Sequence, residues 1–185
     1  MFQLSTPRLC LRDFVEEDLA DVHEIRSDPE VAFFMDFAPE SVEESSTWLE
    51  GVIFHNRVQP RKAYNLAIVE LSENRVIGWI GIGDSERYLD EGELGFGYMV
   101  NRRYWGKGYA TEAVLRILDF GFAELHGRRI SAWCFEENRA SARVLEKAGL
   151  RFERRYFDSE LLSGRGTTCL EFSVSRDDAP RFSDT

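Results

Sequence analysis

The stretch from Glu93 to His126 constrains the fold most, because its apolar period changes once and a glycine loop stands at the change. Leu94, Phe96, Tyr98 and Val100 alternate with Gly95, Gly97, Met99 and Asn101, which predicts a strand over Glu93 to Val100. From Gly108 onward, Ala110, Ala113, Val114, Ile117, Leu118, Gly121 and Leu125 recur at the spacing of one helix face. Between the two lies Arg103-Tyr104-Trp105-Gly106-Lys107-Gly108. Gly106 and Gly108 lack a Cβ, so a ligand can approach their backbone and either can take a positive φ. The loop feeds a helix N-terminus, where free N–H groups and the positive end of the dipole favour an anion. Arg102, Arg103 and Lys107 add charge nearby. The combination predicts a phosphate or pyrophosphate site.

The rest of the composition bounds what that site can serve. A chain of 185 residues suits one domain, expected over 1–175, with a polar tail over 176–185. No apolar run approaches a membrane span, and MFQLSTPRLCLRDF lacks the basic start and apolar stretch of a signal peptide. Cys10, Cys134 and Cys169 are far apart with no CxxC, which predicts reduced, buried thiols and a cytoplasmic protein. His23, His55 and His126 are scattered, so no metal is expected. A net charge of −10 argues against nucleic acid and suits a cationic acceptor such as an amine or a basic peptide.

Read in order, Thr6 to Arg12 alternates as a strand, and Glu16 to Arg26 reads as a short helix ended by Asp28-Pro29. The aromatic run Val31 to Phe37 follows, either as core packing or, through Phe34 and Asp36, as a wall of an acceptor pocket. Ser41-Val42-Glu43-Glu44 is a capping box that opens a helix to about Asn56. Asn65 to Leu71 and Val76 to Gly83 form a hairpin, in which Gly78, Gly81 and Gly83 signal bulges or close backbone approach. Ile130 to Phe135 is a strand and Asn138 to Ala148 a helix, with Asn138 as N-cap and Gly149 as stop. Phe152 to Phe157 and Thr167 to Val174 are the last strands. The order βααβββαβαββ is that of a mixed α/β domain with a β–α–β crossover in the middle.

The loop fails the P-loop pattern, since Tyr109 and Ala110 follow Gly108, and it fits a dinucleotide fingerprint only in part, since Thr111 stands where a third glycine belongs. Arg103-x-x-Gly106-x-Gly108 resembles the (Gln/Arg)-x-x-Gly-x-(Gly/Ala) loop of the GNAT superfamily of N-acetyltransferases. The wider run Tyr104 to Ala113 resembles the ribosomal-protein N-terminal (Rim-type) branch, as does the opening Thr6-Pro7-Arg8-Leu9. Asn138 to Leu150 resembles the second signature, Asn-x-x-Ser-x-x-(hydrophobic)-x-Glu-Lys-x-Gly. The resemblance spans about residues 5 to 175. It implies a GNAT fold whose central strand pair splays apart, with the pantetheine arm of acetyl-CoA between the strands. The backbone near Tyr98, Met99 and Val100 would bind the arm. Arg103, Gly106, Lys107, Gly108, Tyr109 and Ala110 would hold the pyrophosphate, and Asn138 would be both cap and CoA contact. It implies acetyl-CoA as cosubstrate, an amine acceptor such as a protein N-terminus or a small molecule, and a monomer or homodimer.

Acetyl transfer from a thioester to an amine needs a path for the amine's proton, a donor to the oxyanion, and a donor to the departing thiolate. The resemblance points to Glu93 for the first, with Asp36 as rival and a solvated acid beside Asp90 and Glu91 as the plain alternative. A backbone N–H near Met99 or Val100 would serve the oxyanion. Many GNAT enzymes place a tyrosine acid where this chain has Leu145, which cannot donate. Ser141 stands where Rim-type enzymes have a serine near the sulfur, and is alternatively a second cap hydroxyl. Tyr98 and Tyr104 read as packing side chains. Arg154-Arg155 after Glu153, and Thr167-Thr168, depart from the Rim-type pattern, so a ribosomal acceptor does not follow from the resemblance. A non-catalytic acyl-CoA-binding domain of the same fold is the alternative reading.

Overall fold

The computed structural model describes residues 1–84, 92–159 and 166–179. One sheet of eight strands runs through it, in the order β1-β2-β3-β4-β5-β6-β8-β7. The strands are β1 (Gln3–Ser5), β2 (Leu9–Asp13), β3 (Ala63–Glu70), β4 (Arg75–Asp84), β5 (Glu93–Val100), β6 (Arg129–Phe135), β7 (Arg151–Asp158) and β8 (Thr167–Ser175). Neighbours are antiparallel except β5 and β6, which the α4 crossover makes parallel.

The α-helices are α1 (Leu19–Arg26), α2 (Pro29–Phe34), α3 (Val42–Arg57), α4 (Tyr109–Ala123) and α5 (Arg139–Lys147). They split the core in two. Leu66, Ile80, Ile82, Leu94 and Phe96 pack on Ala113, Val114, Ile117, Leu118 and Leu145 of α4 and α5. Ala67, Val69, Val76 and Met99 pack on Val22, Ile25, Leu49, Val52 and Ile53 of α1 and α3. Gly121 lets α4 lie close to the sheet: a Cβ there would stand 2.6 Å from Ile130 Cδ1 and 2.7 Å from Ile82 Cδ1.

Two elements lie outside the expected order. Asp28-Pro29 follows the end of α1, yet it also starts α2: Asp28 Oδ1 accepts from the Glu30 N–H at 2.9 Å, and Pro29 stands in the first turn, where its missing N–H costs nothing. β1 is three residues long, too short to show a period, and is fixed by pairing with β2 and by Phe2 against Tyr64 and Phe120. The expected caps are present. Ser41 and Glu44 form the reciprocal box of α3, and Asn138 Oδ1 accepts from the Ser141 N–H at 3.0 Å. The tail is docked at its start: Arg176 donates to the carbonyls of Gly127 at 3.1 Å and Phe122 at 2.7 Å. Residues 180–185 lie outside the described residues, as do Asp90 and Glu91.

The glycines of the β3–β4 hairpin serve close approach, as their spacing predicts. A Cβ on Gly78 would stand 2.3 Å from the Met99 carbonyl, one on Gly81 2.6 Å from the Trp79 ring, and one on Gly83 2.7 Å from Ala63 Cα.

Candidate active site

β5 and β6 pair only at Glu93–Arg129, Leu94–Ile130 and Gly95–Ser131, although β5 continues to Val100 and β6 to Phe135. Beyond Gly95 the two strands therefore part, and a gap opens between them. The backbone facing it follows from strand alternation. The Gly92 carbonyl accepts from the Arg128 N–H on the β6 side at 2.7 Å, and the Asn101 N–H donates to Ile77 on the β4 side at 2.7 Å. Residues of even number in β5 thus direct their N–H groups to the gap, and those of odd number to β4. Of the two oxyanion donors expected, this leaves Val100 at the gap and turns Met99 away.

On the α4 side of the gap, Tyr98 reaches across to α5. Its hydroxyl lies 2.9 Å from Ser141 Oγ. Burial pushes the Tyr98 phenol well above its ordinary value against the opposing bond to Ser141, so it stays neutral. Burial pushes the Cys134 thiol up to about 11, so it is no thiolate near neutral pH. Tyr98 packs against the core and also bonds Ser141, and the helix start is capped by Asn138, which accepts from the Ser141 N–H, while the serine hydroxyl faces Tyr98. Leu145, one turn on, is fully buried in the core. Tyr104 is buried and donates to Glu73.

At the far end of β5 stands the glycine loop. Gly106 has φ 74° and Gly108 has φ 83°, the left-handed region that favours glycine. A Cβ on Gly106 would meet nothing within 4 Å, so that backbone is open to a ligand. Gly108 is the N-cap of α4 and supplies no side chain, which leaves the first N–H groups of the helix, at Tyr109 and Ala110, without a cap acceptor. Trp105 Nε1 donates to the Val100 carbonyl at 2.7 Å and ties the loop to the strand.

The arginines expected to charge this loop are engaged elsewhere. Arg102 lies 3.1 Å from Asp28, and Arg103 lies 3.1 Å from Glu24. The Arg103 N–H donates to Asn101 Oδ1 at 3.0 Å. The Arg103 side chain thus pairs with Glu24 while staying mostly exposed, and its N–H is held at the start of the loop. Lys107 remains beside the glycines, its ammonium 4.9 Å from the Tyr104 ring.

The opposite face of the same strands carries an open groove of about 540 Å³. Gly95 and Gly97 of β5 lie along its floor, paired with Gly83 and Gly81 of β4. Trp79 and Asn65 form one wall, joined by a 3.1 Å bond from indole Nε1 to Oδ1, and Ser131 and Trp133 of β6 form the other. The groove thus spans the strands where they begin to part. Sequence reasoning missed it. The signal was present as glycines at a two-residue spacing in both strands, which strips one sheet face of side chains.

Glu93 shares that face with Gly95 and Gly97. Its carboxylate is largely buried and lies 3.8 Å from Arg129 Nε, a buried donor without a hydrogen-bond partner among the described residues. Phe34 and Asp36 are not among the residues lining the groove. Asp36 is buried at φ 61°, just past α2, and Phe34 packs edge-on against Phe33. Met35 and Phe37 of the same run pack on the α1–α3 core, so packing accounts for part of that run.

Among the described residues no cluster of His, Cys, Asp or Glu could hold a metal ion, and no helix is long and apolar enough to cross a membrane.

Residues 8–151 match the family described as the acetyltransferase (GNAT) domain. The uncharacterized N-acetyltransferase YnaD of Bacillus subtilis is 35% identical over 150 residues, which cover 81% of this chain and 83% of that protein. The uncharacterized N-acetyltransferase p20 of Bacillus licheniformis is 30% identical over 175 residues, covering 94% of this chain and 96% of that protein. The crystal structure of a GNAT-family acetyltransferase from Bacillus anthracis superposes with a TM-score of 0.83 at 26% identity, over 95% of this chain and 99% of that one. On its parted strand pair, its glycine loop and these relatives, the chain belongs to the GNAT family of N-acetyltransferases.

Proposed function

We propose that this enzyme moves an acetyl group from acetyl-CoA to a primary amine by direct attack on the thioester, with the two substrates entering from opposite faces of the β5–β6 gap. The observation that carries this reading is the end of strand pairing at Gly95–Ser131, which opens a passage between a capless helix N-terminus and the glycine-floored groove. The open backbone at Gly106 and the uncapped start of α4 fit a diphosphate, which Gly106 to Ala110 would hold, aided by Lys107. Tyr98 directs its backbone N–H and carbonyl to the gap, suited to an amide of an extended arm, while the Val100 carbonyl is taken by Trp105. When bound, acetyl-CoA supplies an activated acyl carbon and a thiolate leaving group.

The protein's own groups divide the remaining work. Val100 offers an N–H toward the gap, where it can stabilise charge on the acyl oxygen. Tyr98, kept neutral, can donate to Ser141 Oγ, which frees the serine proton for the sulfur. Glu93 precedes Tyr98 by a stretch of roughly 17 Å along an extended strand, beyond the reach of one bridging water, so it takes the amine's proton only over a chain of several waters. The acceptor lies in the groove between Trp79 and Trp133, where a cation meets indole faces and the carboxylate of Asp84. The run Tyr104 to Ala113 and the opening Thr6 to Leu9 favour the Rim-type branch, while Arg154-Arg155 and Thr167-Thr168 depart from it, so the acceptor is a primary amine on a protein N-terminus or a small molecule.

The test is release of free thiol from acetyl-CoA against a panel of peptides, polyamines, aminoglycosides and amino acids, with the products read by mass spectrometry. Acetylated peptide N-termini support the Rim-type acceptor. Products confined to small amines replace it, and no thiol release with any amine overturns the enzymatic reading.

A further inference from the structure

A carboxylate stands in the first turn of α4, at Glu112, where a diphosphate would meet the positive end of the helix. Left free, it would repel that anion. It is held instead by the turn between β1 and β2. Thr6 Oγ1 donates to Glu112 Oε1 at 2.6 Å, and the Arg8 N–H donates to the same oxygen at 3.0 Å. Arg8 Nε and Nη2 meet Oε2 at 2.7 Å and 2.6 Å. Both carboxylate oxygens are thus turned toward residues 6–8, and the Glu112 side chain is only 13% exposed.

The same guanidinium reaches the loop. Arg8 Nη1 donates to the Lys107 carbonyl at 3.1 Å, which turns that oxygen toward the arginine. The guanidinium lies 4.5 Å from the centre of the Tyr109 ring, and Nη2 stands 3.4 Å from where a Cβ on Gly108 would be. One cation therefore occupies the two acceptors, a carboxylate and a carbonyl, that would otherwise face an incoming phosphate with negative charge.

We propose that Arg8 is a positioning residue of the diphosphate site, which cancels the charge of Glu112 and holds the Lys107 carbonyl away from the ligand. This rests on the reading of Gly106 to Ala110 as that site. It gives Thr6-Pro7-Arg8 a role that its place before a short strand does not suggest, and it explains how an acidic residue is tolerated at an anion-binding helix end.

The experiment is calorimetric titration of CoA into wild type, Arg8→Gln, Glu112→Gln, the double variant and Gly108→Asp at low salt, with melting temperatures for each. Arg8→Gln should weaken CoA roughly tenfold, the scale of one charge at a helix terminus, and less so at high salt. Glu112→Gln leaves Arg8 uncompensated and should bind CoA at least as tightly as wild type, and the double variant should recover to within about threefold of wild type. A double variant as weak as Arg8→Gln, or an Arg8→Gln with unchanged affinity, overturns the proposal and leaves Arg8 as a staple between segments. Arg8→Lys, which keeps the charge and loses the fork, should stay close to wild type, and it provides the reading if Arg8→Gln does not fold; a tenfold loss there favours the staple instead. Gly108→Asp separates the two levels. Wild-type CoA affinity in that variant defeats the diphosphate site itself. Loss there without rescue by Glu112→Gln defeats only the role of Arg8.

Discussion

On the α4 side of the β5–β6 gap, the site is made of neighbours in sequence: a loop from Arg103 to Gly108, the first turn of α4, and a helix start at Asn138 to Ser141. On the groove side it is made of residues scattered over four strands: Asn65, Trp79, Gly95 with Gly97, and Ser131 with Trp133. The first side depends on backbone geometry that short motifs encode. The second depends on register, because Gly81 must face Gly97 before the Trp79 indole can lie over both, and Gly83 must face Gly95 to continue the glycine row. The difference teaches which part of the enzyme can vary. A cofactor site built mostly from local backbone depends on few distant side chains, Arg8 among them, whereas an acceptor groove of separate wall residues can change its ligand one side chain at a time.

Four variants sharpen that contrast. The largest effect is expected at Glu93, which shares a face with the groove. Glu93→Gln keeps the size and removes the base, so kcat should fall about 10²-fold while CoA affinity holds. Equal kcat in the variant moves the proton to Asp36 or to bulk water. Next comes a pair on one helix turn. Ser141→Ala should lower kcat about tenfold, the worth of a hydrogen bond to a charged group, and lower the melting temperature only by what the lost bond to Tyr98 costs, about 1 kcal/mol. Asn138→Ala should cost a similar ~1 kcal/mol as a lost N-cap. If Ser141→Ala instead turns over normally, the serine is structural. The smallest effect is at the groove wall: Trp133→Ala should raise the KM of the amine roughly fivefold by removing an indole face, without changing the Kd of CoA. A change in CoA affinity there would mean that the two sides are not separate.

Much of the fold is legible in the sequence because its signals are local. The change of period at Gly108, the box at Ser41 and Glu44, and the cap at Asn138 each act within one turn, and the structure shows each of them. Asp28-Pro29 carries two meanings, stop and start, and only the packing of Val31 and Ala32 into the core decides that α2 forms. The candidate site is legible in the same uneven way. Its glycines and Ser141 sit in motifs. That Arg103 turns to Glu24 rather than to the loop, and that Tyr98 bonds Ser141 across the gap, are long-range contacts with no local signature. Alternation in β5 was visible beforehand, yet choosing Val100 over Met99 needed to know which side faces β6.

The central claim is that the cofactor enters on the α4 side and the amine on the groove side. A crystal structure of the enzyme with CoA bound tests it most directly. The account predicts the diphosphate at the N–H groups of Gly106 to Ala110, the arm between β5 and β6, and the thiol within hydrogen-bond reach of Ser141 Oγ. CoA lying instead over Gly95 and Gly97, between Trp79 and Trp133, would contradict it.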